Sequence, residues 1–193
     1  MSTLKIQLRW ALPLWLIGVL TNWLPDNRIT IKVRGSLAKP FIKSCGRNFQ
    51  LGAHVTLLNT QNLEIGDNVY IARGTWLNCM GELELEDEVI LAPYVVISTL
   101  QHVFKNNSVR FGGSISGKVL IKQGTWLAAH VTVKQGVTIG KGNLIASNAS
   151  VVKNTEDYSV MGGVPAKKIS INQDGEAEFH TRNEYIKRGK IDL

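Results

Sequence analysis

The chain has 193 residues, 44% of them hydrophobic, with 18 glycines and a net charge of +7. That is the size and balance of one turn-rich globular domain with room for an appendage. No run of Lys and Arg reaches four and no basic stripe is interleaved with aromatics, which argues against a nucleic-acid surface; scattered positive charge suits small anionic ligands or an anionic membrane surface.

The first feature along the chain is an apolar stretch from Trp10 to Leu20, followed by Trp23 and Pro25. It is shorter than the roughly 20 residues needed to span a bilayer, and no small-x-small cleavage site follows it. The prolines predict a helix beginning near Pro13 and ending by Pro25. Two readings stay open. Residues 10–24 insert into a membrane interface with Trp10, Trp15 and Trp23 as anchors, making the protein peripheral at the inner face of the cell membrane. Alternatively they pack on their own chain or on another subunit. Arg28, Lys32, Arg34, Lys39 and Lys43 are spaced too widely for one helix face, so residues 26–44 read as a solvated connector. Residues 1–44 then form one N-terminal segment.

From Cys45 a step of six takes over. Cys45, Leu51 and Leu57 make one set; Ile65, Ile71 and Leu77 the next; Leu85, Leu91 and Ile97 the third. After a break the step resumes at Ile121, Leu127, Val133, Ile139, Ile145 and Val151. A period of six fits neither an amphipathic helix nor an isolated strand. It fits a parallel β-helix, in which each short strand sends one aliphatic side chain inward and the coils above and below complete the core. Gly46, Gly52 and Gly66 follow inward positions, as tight corners favour. The chain is thus expected to be all-β, a parallel β-helix with a short N-terminal helical segment. General crossover rules alone favour right-handed connections.

The break runs from Ser98 to Gly117. A long excursion from a regular solenoid usually carries function, and it holds His102 as its only histidine. The coil is expected to end at Asn154. Gly162-Gly-Val-Pro-Ala-Lys-Lys168 follows, then a polar tail over 169–193 with a short helix or frayed end at Tyr185–Lys190.

Three segments carry a resemblance. Leu91-Ala-Pro-Tyr-Val-Val-Ile-Ser-Thr-Leu-Gln-His102, Gly124-Thr-Trp-Leu-Ala-Ala-His130, and Ile139 to Lys153 with the later Gly163-Val-Pro-Ala-Lys167 are similar, in order and spacing, to the hexapeptide-repeat acyltransferases. Within these, the chain looks like the maltose, galactoside and nodulation-type O-acetyltransferases and the capsule or O-antigen O-acetyltransferases. The resemblance covers residues 45–168. It implies a left-handed β-helix, a homotrimer with active sites at clefts between protomers, acetyl-CoA as donor and a sugar or polysaccharide-precursor hydroxyl as acceptor, without a metal. Val152 stands where the family commonly has Thr, and Ser170 where it has a basic residue.

By the same resemblance His102 is the general base that takes the proton of the acceptor hydroxyl, and transfer is direct. The Ala129 backbone N–H is the oxyanion donor. Trp126, Ala129, Ser147, Lys153 and Lys167 line the CoA groove, and Asn78, one coil below His102, is a candidate for binding acceptor hydroxyls. Without the resemblance His102 reads as an exposed loop histidine, Asn78 as a corner residue and the lysines as solvated corners. His130 reads as structural. Cys45 and Cys79 make no disulfide framework, suit a reducing cytoplasm, and lack a His partner for an acyl-enzyme. An N-acetyltransferase of an amino sugar or nucleotide-sugar is the alternative enzyme. A zinc-dependent relative of this architecture would need a histidine cluster that the spacing does not offer. A purely structural β-helix would have no use for the excursion or the Lys167–Lys168 pair.

Overall fold

A computed structural model describes residues 3–172. The step of six folds as a left-handed parallel β-helix of triangular section. The inward residues stack in register on three faces. Cys45, Ile65, Leu85, Ile121 and Ile139 stack on the first. Leu51, Ile71, Leu91, Leu127 and Ile145 stack on the second. Leu57, Leu77, Ile97, Val133 and Val151 stack on the third. A second inward residue two positions earlier, such as Leu63, Val69, Val89, Val95 and Val131, fills the core between them. One full coil therefore buries both faces of what would otherwise be an exposed strand edge.

The corners explain the step. Asn48, Asn68, Glu88, Gly124 and Gly142 all have positive φ and all lie three residues before an inward residue of the second face. His54, Gly74, Tyr94, His130 and Asn148 do the same before the third face. Asn and Gly adopt this conformation at little cost. His, Glu and Tyr do not, so in those coils stacking and ladder bonds hold the turn. Tyr94 and His130, one coil apart, stack at 5.1 Å between ring centroids. The His130 N–H donates to the Pro93 carbonyl. His130 thus does structural work at this corner.

The solenoid runs one coil beyond the expected end at Asn154. Ser159–Gly162 adds a strand with Met161 on Ile145, and Lys167–Ile171 returns antiparallel along it. This coil escapes the step of six because Met161 follows Ile145 by sixteen residues rather than eighteen, and Asp157 falls where the step would demand an aliphatic residue. The tail helix expected at Tyr185–Lys190, and His180, lie outside the described residues.

The N-terminal segment differs most from the sequence reading. Helix α1 (Thr3–Ile6) passes through a π turn at Gln7–Ala11 into α2 (Leu12–Thr21), so the helix starts well before Pro13. The π turn is the physical reason. Its wider bonds, such as Leu12 N–H to Gln7 O, admit a proline ring that would clash inside a regular α-helix. The connector expected over 26–44 contains a third helix, α3 (Thr30–Ala38), which crosses the first coil at Gly35. A Cβ there would collide with the Phe49 carbonyl.

Arg34, expected in solvent, is only 2% exposed. Its guanidinium donates to the Thr21 and Leu24 carbonyls at the end of α2 and to Asp26 Oδ1 at 2.6 Å. Asp26 in turn accepts the Ala53 N–H at 3.0 Å and Arg73 Nε at 3.0 Å. A buried guanidinium needs this saturation of donors. It ties the helix end to the second corner of the first two coils.

Burial opposes the charge on Asp26, but the Ala53 N–H, Arg34 and Arg73 outweigh it and hold the carboxyl below its ordinary value. A depressed carboxyl contributes stability above its unfolded pKa of about 4 and loses it as pH falls through the folded value. Thermal melts from neutral to acid pH should therefore show Asp26→Asn with a lower melting temperature at pH 7 and a shallower acid slope than the parent. Equal slopes in both proteins would assign the acid lability to other carboxylates.

Candidate active site

The excursion is an ordered hairpin. Leu100–His102 pairs antiparallel with Ser114–Ser116, in the register His102 opposite Ser114. Thr99, fully buried at its base, fastens it to the solenoid. The Thr99 hydroxyl donates to the Asn78 carbonyl at 2.8 Å and accepts the Gly81 N–H at 2.8 Å, and the Thr99 carbonyl accepts the Gly117 N–H. The hairpin lifts His102 into solvent. Its Nδ1 lies 3.2 Å from Ser114 Oγ. If Nδ1 carries the proton and donates it to Ser114, Nε2 keeps a free lone pair directed outward, the state a general base needs.

Asn78 sits beside Ser98 in the neighbouring coil, directly below the point where the hairpin leaves. Its Oδ1 is occupied by Asn59 Nδ2 at 3.0 Å and by the Met80 N–H at 3.3 Å. The side chain thus holds its own corner and leaves only Nδ2 to offer a ligand.

Trp126 and Ala129 belong to a different corner. Trp126 points outward from the second face and is 45% exposed. Ala129 turns the corner after it; its carbonyl accepts the Asn148 N–H, while its own N–H has no acceptor among the described residues. Ser147, exposed, lies at the same corner one coil further on, and its N–H is likewise without an acceptor among the described residues. A backbone N–H left without an acceptor in this way can bind a carbonyl or a developing oxyanion. Lys153 and Lys167 are exposed and take part in no ion pair among the described residues. Lys168 is bound to Glu156 at 2.6 Å.

The sequence-selected residues therefore fall on two corners of the triangular solenoid, in successive coils. Asn78, His102 and Lys153 follow the third face; Ala129 and Ser147 follow the second. The hairpin stays on its own corner, where Gln101 meets Gln135. No hydrogen bond among the described residues joins His102 or its hairpin to Ala129.

Cys45 and Cys79 are poor nucleophiles. Burial pushes the Cys79 thiol up to about 12 and the Cys45 thiol up to about 11, so both stay protonated near neutrality. Sequence reasoning missed Thr99 and Ser114. Thr99 had a signal, lying two residues after Ile97, the last inward residue before the break. Ser114 had none, because the register of a hairpin with an eleven-residue connection is set by packing.

No protein-family model matches the chain. A probable acetyltransferase of Mycobacterium tuberculosis is 32% identical over 114 residues, 58% of this chain; the chain spans only 38% of that protein's length. Galactoside O-acetyltransferase of Escherichia coli K12 is 26% identical over 153 residues, 79% of this chain and 75% of the relative. A hexapeptide-repeat acetyltransferase of Vibrio cholerae O1 biovar eltor, solved with acetyl coenzyme A, superimposes with a TM-score of 0.76 at 20% identity, over 90% of this chain and 91% of that one. The fold is that of a solved hexapeptide-repeat acetyltransferase, and the relatives that the chain resembles are named acetyltransferases. Within that class it is similar to the galactoside type.

The Thr99 anchor has a direct consequence. Thr99→Val keeps the shape but removes two hydrogen bonds, each worth about 1 kcal/mol net. Amide hydrogen exchange in Leu100–His102 and Ser114–Ser116 should quicken several-fold, with Ile90–Leu91 unchanged. Unchanged exchange in the hairpin would mean that Thr99 does not hold it.

Proposed function

We propose that the protein is an acetyl-CoA-dependent O-acetyltransferase acting on a hydroxyl of a sugar or polysaccharide precursor in the cytoplasm. The observation that carries this reading is His102, raised on an anchored hairpin with Nδ1 beside Ser114, on a scaffold whose relatives are acetyltransferases. His102 Nε2 takes the hydroxyl proton as the oxygen attacks the thioester carbonyl. The carbonyl oxygen gains negative charge and is met by the Ala129 N–H. Collapse breaks the C–S bond, the CoA sulfur leaves with that electron pair, and His102 returns its proton to it. No acyl-enzyme is required, in keeping with the raised thiol pKa values of Cys45 and Cys79.

Because His102 and Ala129 stand on different corners of one chain, the working site takes one from each of two copies, and the assembly is a homotrimer with three such clefts. Trp126 forms a wall of the groove. Ala129 and Ser147 offer backbone groups to the pantetheine arm, and Lys153 and Lys167 meet the phosphates. Asn78 contributes Nδ2 to the acceptor.

Three measurements test this. His102→Ala should lose about 10²–10⁴-fold in turnover of acetyl-CoA with a hydroxyl sugar while CoA binding is retained; near-parental turnover would sink the assignment. Ser114→Ala should lower turnover by about 3–10-fold, the worth of one hydrogen bond. Lys153→Ala with Lys167→Ala should raise KM for acetyl-CoA several-fold with little change in kcat. An unchanged KM would put the CoA groove elsewhere.

A further inference from the structure

The helix formed by α1, the π turn and α2 is apolar on both sides. Ile6, Trp10, Leu14, Ile17 and Thr21 face the solenoid and are half-buried or buried. On the opposite side Leu4, Leu16 and Leu20 are exposed, Leu20 to 67%, while Leu8, Leu12 and Val19 line an open apolar groove against Val55, Leu57 and Leu58 of the first coil. Trp15 and Trp23 are exposed to 61% and 76%. Helix α3 repeats the pattern with Ile29, Val33 and Leu37 exposed. The inner face secures the helix to the solenoid, and Leu4, Leu16 and Leu20 are left facing water. An outward apolar surface of this extent marks an interaction site.

Charge names the occupant. Residues 1–44 carry seven Lys and Arg against one Asp, so they hold +6 of the chain's +7. Arg34 and Lys43 are spent on Asp26 and Glu64. Lys5, Arg9, Arg28, Lys32 and Lys39 have no carboxylate partner among the described residues. A like copy docking face to face would set these cations against their own kind. An anionic lipid surface would attract them and accept the exposed leucines between its headgroups. No helix among the described residues is long and apolar enough to cross a membrane, so the segment would lie on the surface.

We infer that α1–α3 form a docking surface for an anionic phospholipid bilayer, with Leu4, Leu16 and Leu20 inserted and Lys5, Arg28 and Lys32 at headgroup level. This does not rest on the proposed reaction. The test is flotation of the full chain with vesicles of phosphatidylcholine alone and of phosphatidylcholine mixed with phosphatidylglycerol, with sedimentation velocity run in parallel. The protein should float several-fold more with the anionic vesicles, and less in about 1 M salt, where screening acts over about 3 Å. Leu16→Glu with Leu20→Glu should abolish flotation with an unchanged melting temperature and sedimentation coefficient. Arg28→Glu with Lys32→Glu should remove the preference for anionic lipid, and His102→Ala should float like the parent. Parent protein that stays at the bottom with both vesicles overturns the inference. So does a Leu16→Glu, Leu20→Glu variant that loses self-association, which would make this face a contact between copies.

Discussion

Leu127 is out of water because Leu91 lies under it and Ile145 over it, with the same backbone register in all three coils. Each inward side chain of the solenoid is in that position. No coil has a core of its own, so stability is a nearest-neighbour property and every layer must repeat the geometry of the last. Positive-φ corners three residues ahead of the inward position enforce that geometry. They are also why residues as different as Asn48, Tyr94 and Gly142 occupy equivalent places.

A stack this regular gives the excursion something rigid to stand on. The hairpin leaves at the one point where the register Asn78 opposite Ser98 is followed by a buried threonine instead of another coil. Thr99 takes up backbone groups of Asn78, Gly81 and Gly117 that a continuing ladder would have paired. The strand therefore ends without orphaned polar groups, and His102 is presented on two paired strands rather than on a loose loop. The same regularity divides the chemistry between corners. Ala129 turns one corner of the section and His102 stands beyond the next.

The N-terminal segment follows different rules. Its helices have no coil to complete, so they are fastened by one polar network, Arg34 to Asp26 to Arg73, and by the close crossing at Gly35. Such a network fixes orientation more than it adds stability, since each buried charge costs desolvation that its partners must offset. The fixed orientation is what leaves one apolar side of the helix pointing away from the protein.

Residue order was enough to read the solenoid. A six-residue aliphatic period has one structural solution, so Cys45 through Val151 could be assigned to faces before any coordinates, and the unique histidine in the break stood out for the same reason. Left-handedness came from likeness rather than from the residues. The helix at Thr30–Ala38 was not legible, because its apolar spacing carries no clear face and its central arginine looks like a solvent residue until Asp26 and the end of α2 are brought to it. The last coil was hidden by two missing residues. Ser114 beside His102, and the separation of His102 from Ala129, depend on hairpin register and on which corner each coil turns. Which side chains point inward can be read from residue order alone, because burial is periodic. Only tertiary structure decided which polar groups meet, because hydrogen bonds between Arg34 and Thr21, or Thr99 and Asn78, are made across distances in the chain that no local pattern encodes.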